Sequence, residues 1–119
     1  VIPVVYRGWE VLRLYGLFGQ EVREFTNPME YVEAIVRGNG LVIGTIIMDR
    51  LPGIDISTAF LGSDHNHRED GPPLLFETMI FGGAEDGAQV RCSTYEQALA
   101  QHKIIVERLS HSQAPSPVN

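Results

Sequence analysis

The sequence predicts an α+β fold: a mainly antiparallel sheet of about five strands with two helices packed on one of its faces. Three observations lead there. Two segments carry helical apolar spacing with capping residues at their ends, the strand-like runs between them are joined by short turns rich in glycine and proline, and no regular strand–helix alternation of a parallel sheet is present. At 119 residues the chain suits one core, so residues 1–109 are expected to form a single domain and residues 110–119, "SHSQAPSPVN", a disordered tail.

The elements follow in order. Val1–Tyr6 and Glu10–Leu17 are rich in β-branched and aromatic residues and read as two short strands around Arg7, Gly8 and Trp9, with Pro3 suited to an edge. "TNPMEYVEAIVRGNG" reads as a helix with Thr26 or Asn27 as cap, Pro28 in the first turn and Gly38 to Gly40 beyond its end; Met29, Val32, Ile35 and Val36 fall on one face. "LVIGTIIMD" is apolar in succession, which places it centrally with both faces covered. "IDISTAFLG" and "LLFETMIFGG" are read as antiparallel neighbours, with "SDHNHREDGPP" as the tip between them. A short strand is expected over Val90–Cys92. The last helix, "STYEQALAQHKIIVERLS", opens with Ser93 and Glu96 at capping-box spacing and carries Tyr95, Ala98, His102, Ile105 and Leu109 on one stripe.

Composition narrows the function classes. Fifteen acids against nine bases give a net charge of −6, which opposes bulk binding to nucleic acid or to an anionic membrane. The longest apolar run is too short to span a bilayer, and "VIPVVYRGW" lacks the order of a signal peptide. The single cysteine, Cys92, excludes an internal disulfide and reads as a small residue near a helix start rather than a nucleophile. Together these point to the cytosol.

Candidate chemistry gathers at a few positions. In "LLFETMIF" the period of two aligns Leu75, Glu77, Met79 and Phe81 on one face, so Glu77 needs a partner among apolar neighbours. His102 lies on the apolar stripe of the last helix and is its natural complement if that helix covers the Glu77 face. Such a pair is either a buried hydrogen bond joining helix to sheet or an acid–base couple. In the loop, Asp64, His65, His67, Glu69 and Asp70 supply metal-binding atoms, but loop neighbours rarely converge on one ion and the calcium-loop glycine is misplaced. A solvated hairpin tip is the expectation, with no metal and no cofactor. "GNG" at 38–40 is a helix stop, and no phosphate loop, nucleophile elbow or zinc-protease helix is present. Arg7, Arg50, Arg68 and Arg91 sit at strand ends or turns.

The stretch "ISTAFLGSDHNHREDGPPLLFETMIFGG", followed by "RCSTYEQALAQH", resembles an uncharacterised family of small proteins of tailed bacteriophages and prophages. Its pattern is an S-T-aliphatic-F-L-G-x-D-H strand and turn, then G-P-P-L-aliphatic-F-E-T-M-aliphatic-F, then a helix ending near a His. Ser57–Leu61, Gly62, Asp64, His65, Gly71–Phe81 and Ser93–His102 carry it, somewhat under half of the chain. Ser63 and "NHRED" depart from the pattern, and the first fifty residues match none of it.

The resemblance implies a phage accessory context and no particular reaction. The leading expectation is a non-enzymatic accessory protein, a homo-oligomer through its edge strands, that binds a host protein or a small anionic ligand such as a signalling nucleotide. Arg68 and Arg91, with Glu77 and His102, are the expected ligand-binding residues. The alternatives are a small hydrolase or lyase acting through Asp64, His65, Glu77 and His102, and a minor virion component.

Overall fold

The computed structural model describes residues 13–66 and 70–112. The expected strand Val1–Tyr6, the start of the next, and the tail beyond Ser112 lie outside the described residues. Within them the fold is α+β, with two helices and two antiparallel sheets.

The smaller sheet is a hairpin of β1 (Tyr15–Phe18) and β2 (Glu21–Glu24), turning at Gly19 and Gln20. Strand β1 starts later than the Glu10–Leu17 run suggested, and β2 was not read in "EVRE", whose charges hid a strand paired on one side only. Helix α1 (Pro28–Arg37) follows. Asn27 Oδ1 accepts from Glu30 N at 3.1 Å, and the Glu30 carboxylate reaches back to Thr26 N at 2.6 Å, so both expected cap residues take part. The Thr26 hydroxyl also donates to the Glu30 carboxylate, and this bond above all holds the Glu30 carboxyl below its ordinary range. Gly38 closes the helix in the left-handed conformation.

The larger sheet runs in the order β3 (Gly44–Leu51), β4 (Ile54–Phe60), β5 (Phe76–Phe81), β6 (Gln89–Cys92), antiparallel throughout. The expected pairing of "IDISTAF" with "FETMIF" is present, from Asp55 opposite Phe81 to Phe60 opposite Phe76. The central position expected for "LVIGTIIMD" is corrected. Among the described residues β3 is an edge strand, bulged between Thr45 and Ile47, and it has no fully buried residue. Its apolar run records contact with α2 and with the hairpin region, not two-sided coverage.

Helix α2 (Tyr95–Ser112) lies across the larger sheet, touching all four strands. Its cap is shifted by one residue from the expected Ser93–Glu96 pair: Thr94 Oγ1 accepts from Gln97 N at 3.1 Å, and Gln97 Oε1 accepts from Ser93 N and Thr94 N. The buried stripe is Ala98, His102, Ile105 and Leu109, as the spacing indicated. The core has two parts. Tyr15, Leu17, Phe60, Leu75, Phe76, Cys92 and Ala98 join the hairpin to the sheet, while Ile54, Ile56, Ile80, Ile105 and Leu109 pack under the far half of α2. His102 sits on the helix between these clusters. Helix α1 instead rests beside the hairpin, burying Ala34 and setting Tyr31 edge-on to Phe25 at 5.8 Å.

Candidate functional site

The polar centre of the molecule is built from strand alternation. On β4 and β5 the side chains facing α2 are Ile56, Thr58 and Phe60, and Phe76, Thr78 and Ile80, all buried. Two threonines thus occupy core positions opposite each other in the register, and their hydroxyls lie 2.6 Å apart. His102 descends onto them from α2: Nδ1 is 2.7 Å from Thr58 Oγ1, and Nε2 is 2.8 Å from Asp49 Oδ2 on the edge strand. Gln101 Nε2 donates to Thr78 Oγ1 at 2.9 Å and to the Val90 carbonyl at 3.1 Å.

The hydrogens of this chain have one consistent arrangement. Asp49 only accepts when ionised and the Gln101 amide only donates, so Nε2–H of a neutral His102 donates to Asp49 and Nδ1 accepts from Thr58. Thr58 in turn accepts from Thr78, which accepts from Gln101. No buried side-chain nitrogen or oxygen among the described residues lacks a partner.

This composition resembles a hydroxyl–imidazole–carboxylate triad, yet its geometry opposes catalysis. Thr58 has no exposed surface and His102 is 3% exposed, so a nucleophile at Thr58 has no route to substrate. Asp49, with half of its side chain exposed, is the group that faces water. Hollows in the surface include one of about 210 Å³ between the hairpin and α1 and a shallow one of about 480 Å³ along β6 and α2, beside Arg91, Ser93 and Gln101; neither is lined by Thr58, His102 or Asp49.

The expected meeting of Glu77 with His102 does not occur. Glu77 points to the opposite face of the sheet, where it accepts from Arg91 Nε at 3.0 Å; Arg91 Nη2 also donates to Gln89 at 3.2 Å. The reason lies in Leu75. It is buried but precedes β5, so its burial says nothing of the phase of the strand, and the phase carrying Phe76 and Ile80 takes the core.

Asp64 and His65 organise the loop. Asp64 Oδ1 accepts from Asn66 N at 2.7 Å and Leu74 N at 2.8 Å, and His65 Nδ1–H donates to the Ser63 carbonyl at 2.9 Å. Asn66 Nδ2 ties the far side, donating to Asp70 O and Pro72 O. His67, Arg68 and Glu69 lie outside the described residues, so the Arg68 expectation does too. Among the described residues no three His, Cys, Asp or Glu side chains converge to hold a metal ion. Cys92 is buried, which pushes its thiol pKa up, away from the range of a nucleophile.

Sequence reasoning therefore missed Asp49, Thr58, Thr78 and Gln101. The usable signal was a threonine in each of two adjacent strands at a position flanked by core residues, opposite a helix carrying "QH". No helix among the described residues is long and apolar enough to cross a membrane. No family model matches the chain, and comparison with curated proteins and with solved structures gave no match.

Proposed function

We propose that the chain is a non-enzymatic accessory protein that acts by binding, in the host cytosol and as a homo-oligomer, in keeping with the resemblance of its second half to small phage proteins. The observation that supports this most is the separation of the acid–base candidates. Glu77 and His102 occupy opposite faces of one sheet, and Asp64 is engaged by backbone amides at the base of a loop. The hydrolase or lyase reading is left without a couple that shares a cleft.

Between the two binding readings, a partner protein is favoured over a small anion. Arg91 already has Glu77 and Gln89 on its guanidinium, so an anion there would compete with a carboxylate 3.0 Å away in a chain of charge −6. The test is turnover of aryl esters, phosphomonoesters and phosphodiesters by the wild type, beside Asp49→Asn and Glu77→Gln. No turnover above the uncatalysed rate is expected. An activity that either substitution removes from a folded protein would overturn the reading.

A further inference from the structure

We propose that the partner is a second copy of this chain, docked reciprocally: helix α1 of each copy covers the open face of the larger sheet of the other. The proposal rests on the binding reading above and adds its occupant and geometry.

Helix α1 is turned outside-in relative to an ordinary amphipathic helix. Its buried residue is Ala34, while Met29, Val32, Ile35 and Val36 are 63%, 44%, 54% and 76% exposed. That stripe points away from the hairpin on which α1 rests. Among the described residues the larger sheet also has a face that no helix covers. Helix α2 covers the face of Ile56, Thr58 and Ile80, and the opposite face presents Met48, Ser57, Ala59, Met79 and Phe81, all partly or largely exposed. An antiparallel sheet can leave its second face to water, but Met48 and Phe81, 45% and 46% exposed, make this one apolar where a solvated face would be polar. In a single copy α1 does not cover that face: Ala34 and the Phe25–Tyr31 ring contact place it beside the hairpin, itself bonded to the sheet region through Tyr15 N to Gly62 O and Leu17 N to Leu41 O. A two-fold axis delivers both missing layers at once, since contact of one copy's helix with the other's sheet implies the converse.

Charge and area agree with this partner. The open face is balanced, with Arg50 beside Asp55 and Arg91 beside Glu77, so it presents no net charge to a copy of a chain whose total is −6. On α1, Glu33 and Arg37 lie one turn apart beside the stripe, while Glu30 is taken up by the helix cap. With roughly 170–200 Å² for a fully exposed apolar residue, the stripe offers about 430 Å² and the five sheet residues roughly 280 Å², so two contacts remove about 1,400 Å², within the range of a stable specific interface. Edge pairing through β3 is the less favourable route. Its bulge interrupts the ladder, Asp49 is turned inward to His102, and Arg50 charges the rim.

The test uses the full chain in sedimentation velocity over a range of concentrations, with Val36→Lys on the helix and Met79→Lys on the sheet. Circular dichroism first confirms that each variant is folded, with Phe81→Lys replacing Met79→Lys if it is not. The wild type is expected to be a dimer, each variant alone to dissociate at least 100-fold more readily, and an equimolar mixture of the two to recover dimer. The mixture is decisive because a heterodimer keeps one wholly native helix–sheet contact and concentrates both lesions in the other. Raising the salt concentration should strengthen the dimer, since it screens repulsion between acidic copies. A monomeric wild type overturns the proposal, as does disruption by only one variant, which would indicate helix–helix or sheet–sheet contact, or a mixture that stays monomeric. The binding reading stands or falls separately, on the turnover assay.

Discussion

Replacing Thr58 by Val tests whether the buried relay holds the fold. The substitution keeps the shape of the side chain and removes one hydroxyl that touches both Thr78 Oγ1 at 2.6 Å and His102 Nδ1 at 2.7 Å. Two buried groups lose their partners: the lone pair of His102 Nδ1 and the hydrogen of Thr78. At about 1–2 kcal/mol for each, less the gain from a buried methyl, the cost comes to roughly 2–3 kcal/mol. For a domain of this size that lowers the melting temperature by roughly 10 °C or more. His102→Leu alone strands one hydroxyl hydrogen and should cost about 1–3 kcal/mol, with Asp49 free to rehydrate at the surface. Added to Thr58→Val it removes both the orphaned imidazole and the hydroxyl that His102→Leu alone would strand, so the double variant should fall short of the sum by roughly 2–3 kcal/mol. Urea unfolding followed by circular dichroism measures all three. A Thr58→Val protein within about 0.5 kcal/mol of wild type, or additive with His102→Leu, would show that the relay does not support the fold. Stabilisation by either change would point instead to a strained functional site.

Three further outcomes are expected. Gly82→Ala should unfold the chain at markedly lower temperature, because Gly82 has φ +94° and a Cβ there would stand 2.2 Å from the Gly53 carbonyl oxygen, a backbone atom that cannot rotate away; a melting curve unchanged by the substitution would contradict it. The Glu85 carboxyl is held below its ordinary range, chiefly by hydrogen bonding to Arg108. A group whose folded pKa is depressed contributes stability that is present above the unfolded pKa and lost as pH falls through the folded one, so Glu85→Gln should destabilise at neutral pH and converge with wild type in acid, as thermal melts between pH 7 and pH 2 would reveal. Cys92 should resist iodoacetamide at neutral pH until the chain is unfolded, since burial both shields the thiol and raises its pKa; rapid alkylation of the native protein, followed by mass spectrometry, would contradict that.

Helices were the most legible part of the chain, because their punctuation and their buried stripe are encoded locally. Asn27, Pro28 and Gly38 bound α1 as read, and Ala98, His102, Ile105 and Leu109 bury as the spacing of α2 requires. Strand phase was harder. In "LLFETMIF" both phases carry large apolar residues, so alternation alone cannot say which faces the helix, and the choice falls to what lies opposite. Thr58 settles it: a hydroxyl there is tolerable in the core only because Thr78 and His102 meet it. Asp49 was invisible for the same reason, since its role depends on a histidine 53 positions away in the chain.

The position of α1 is where local and global information part company. Its sequence places four large apolar residues on one face, and local physics alone would have that face inward. Packing the smaller Ala34 against the hairpin instead leaves the stripe in water, which at about 25 cal/mol per Å² forgoes roughly 10 kcal/mol of burial, an amount comparable to the whole stability of a domain. A single copy gains nothing from this arrangement. In the proposed pair the same stripe would close the sheet face that α2 leaves open, and each copy would recover the burial that it forgoes alone. The buried hydrogen-bond chain bears on this directly: by tying Asp49 of β3 to His102 of α2, it anchors to the helix the edge strand that carries Met48 and Arg50, part of the face on which the second copy would rest.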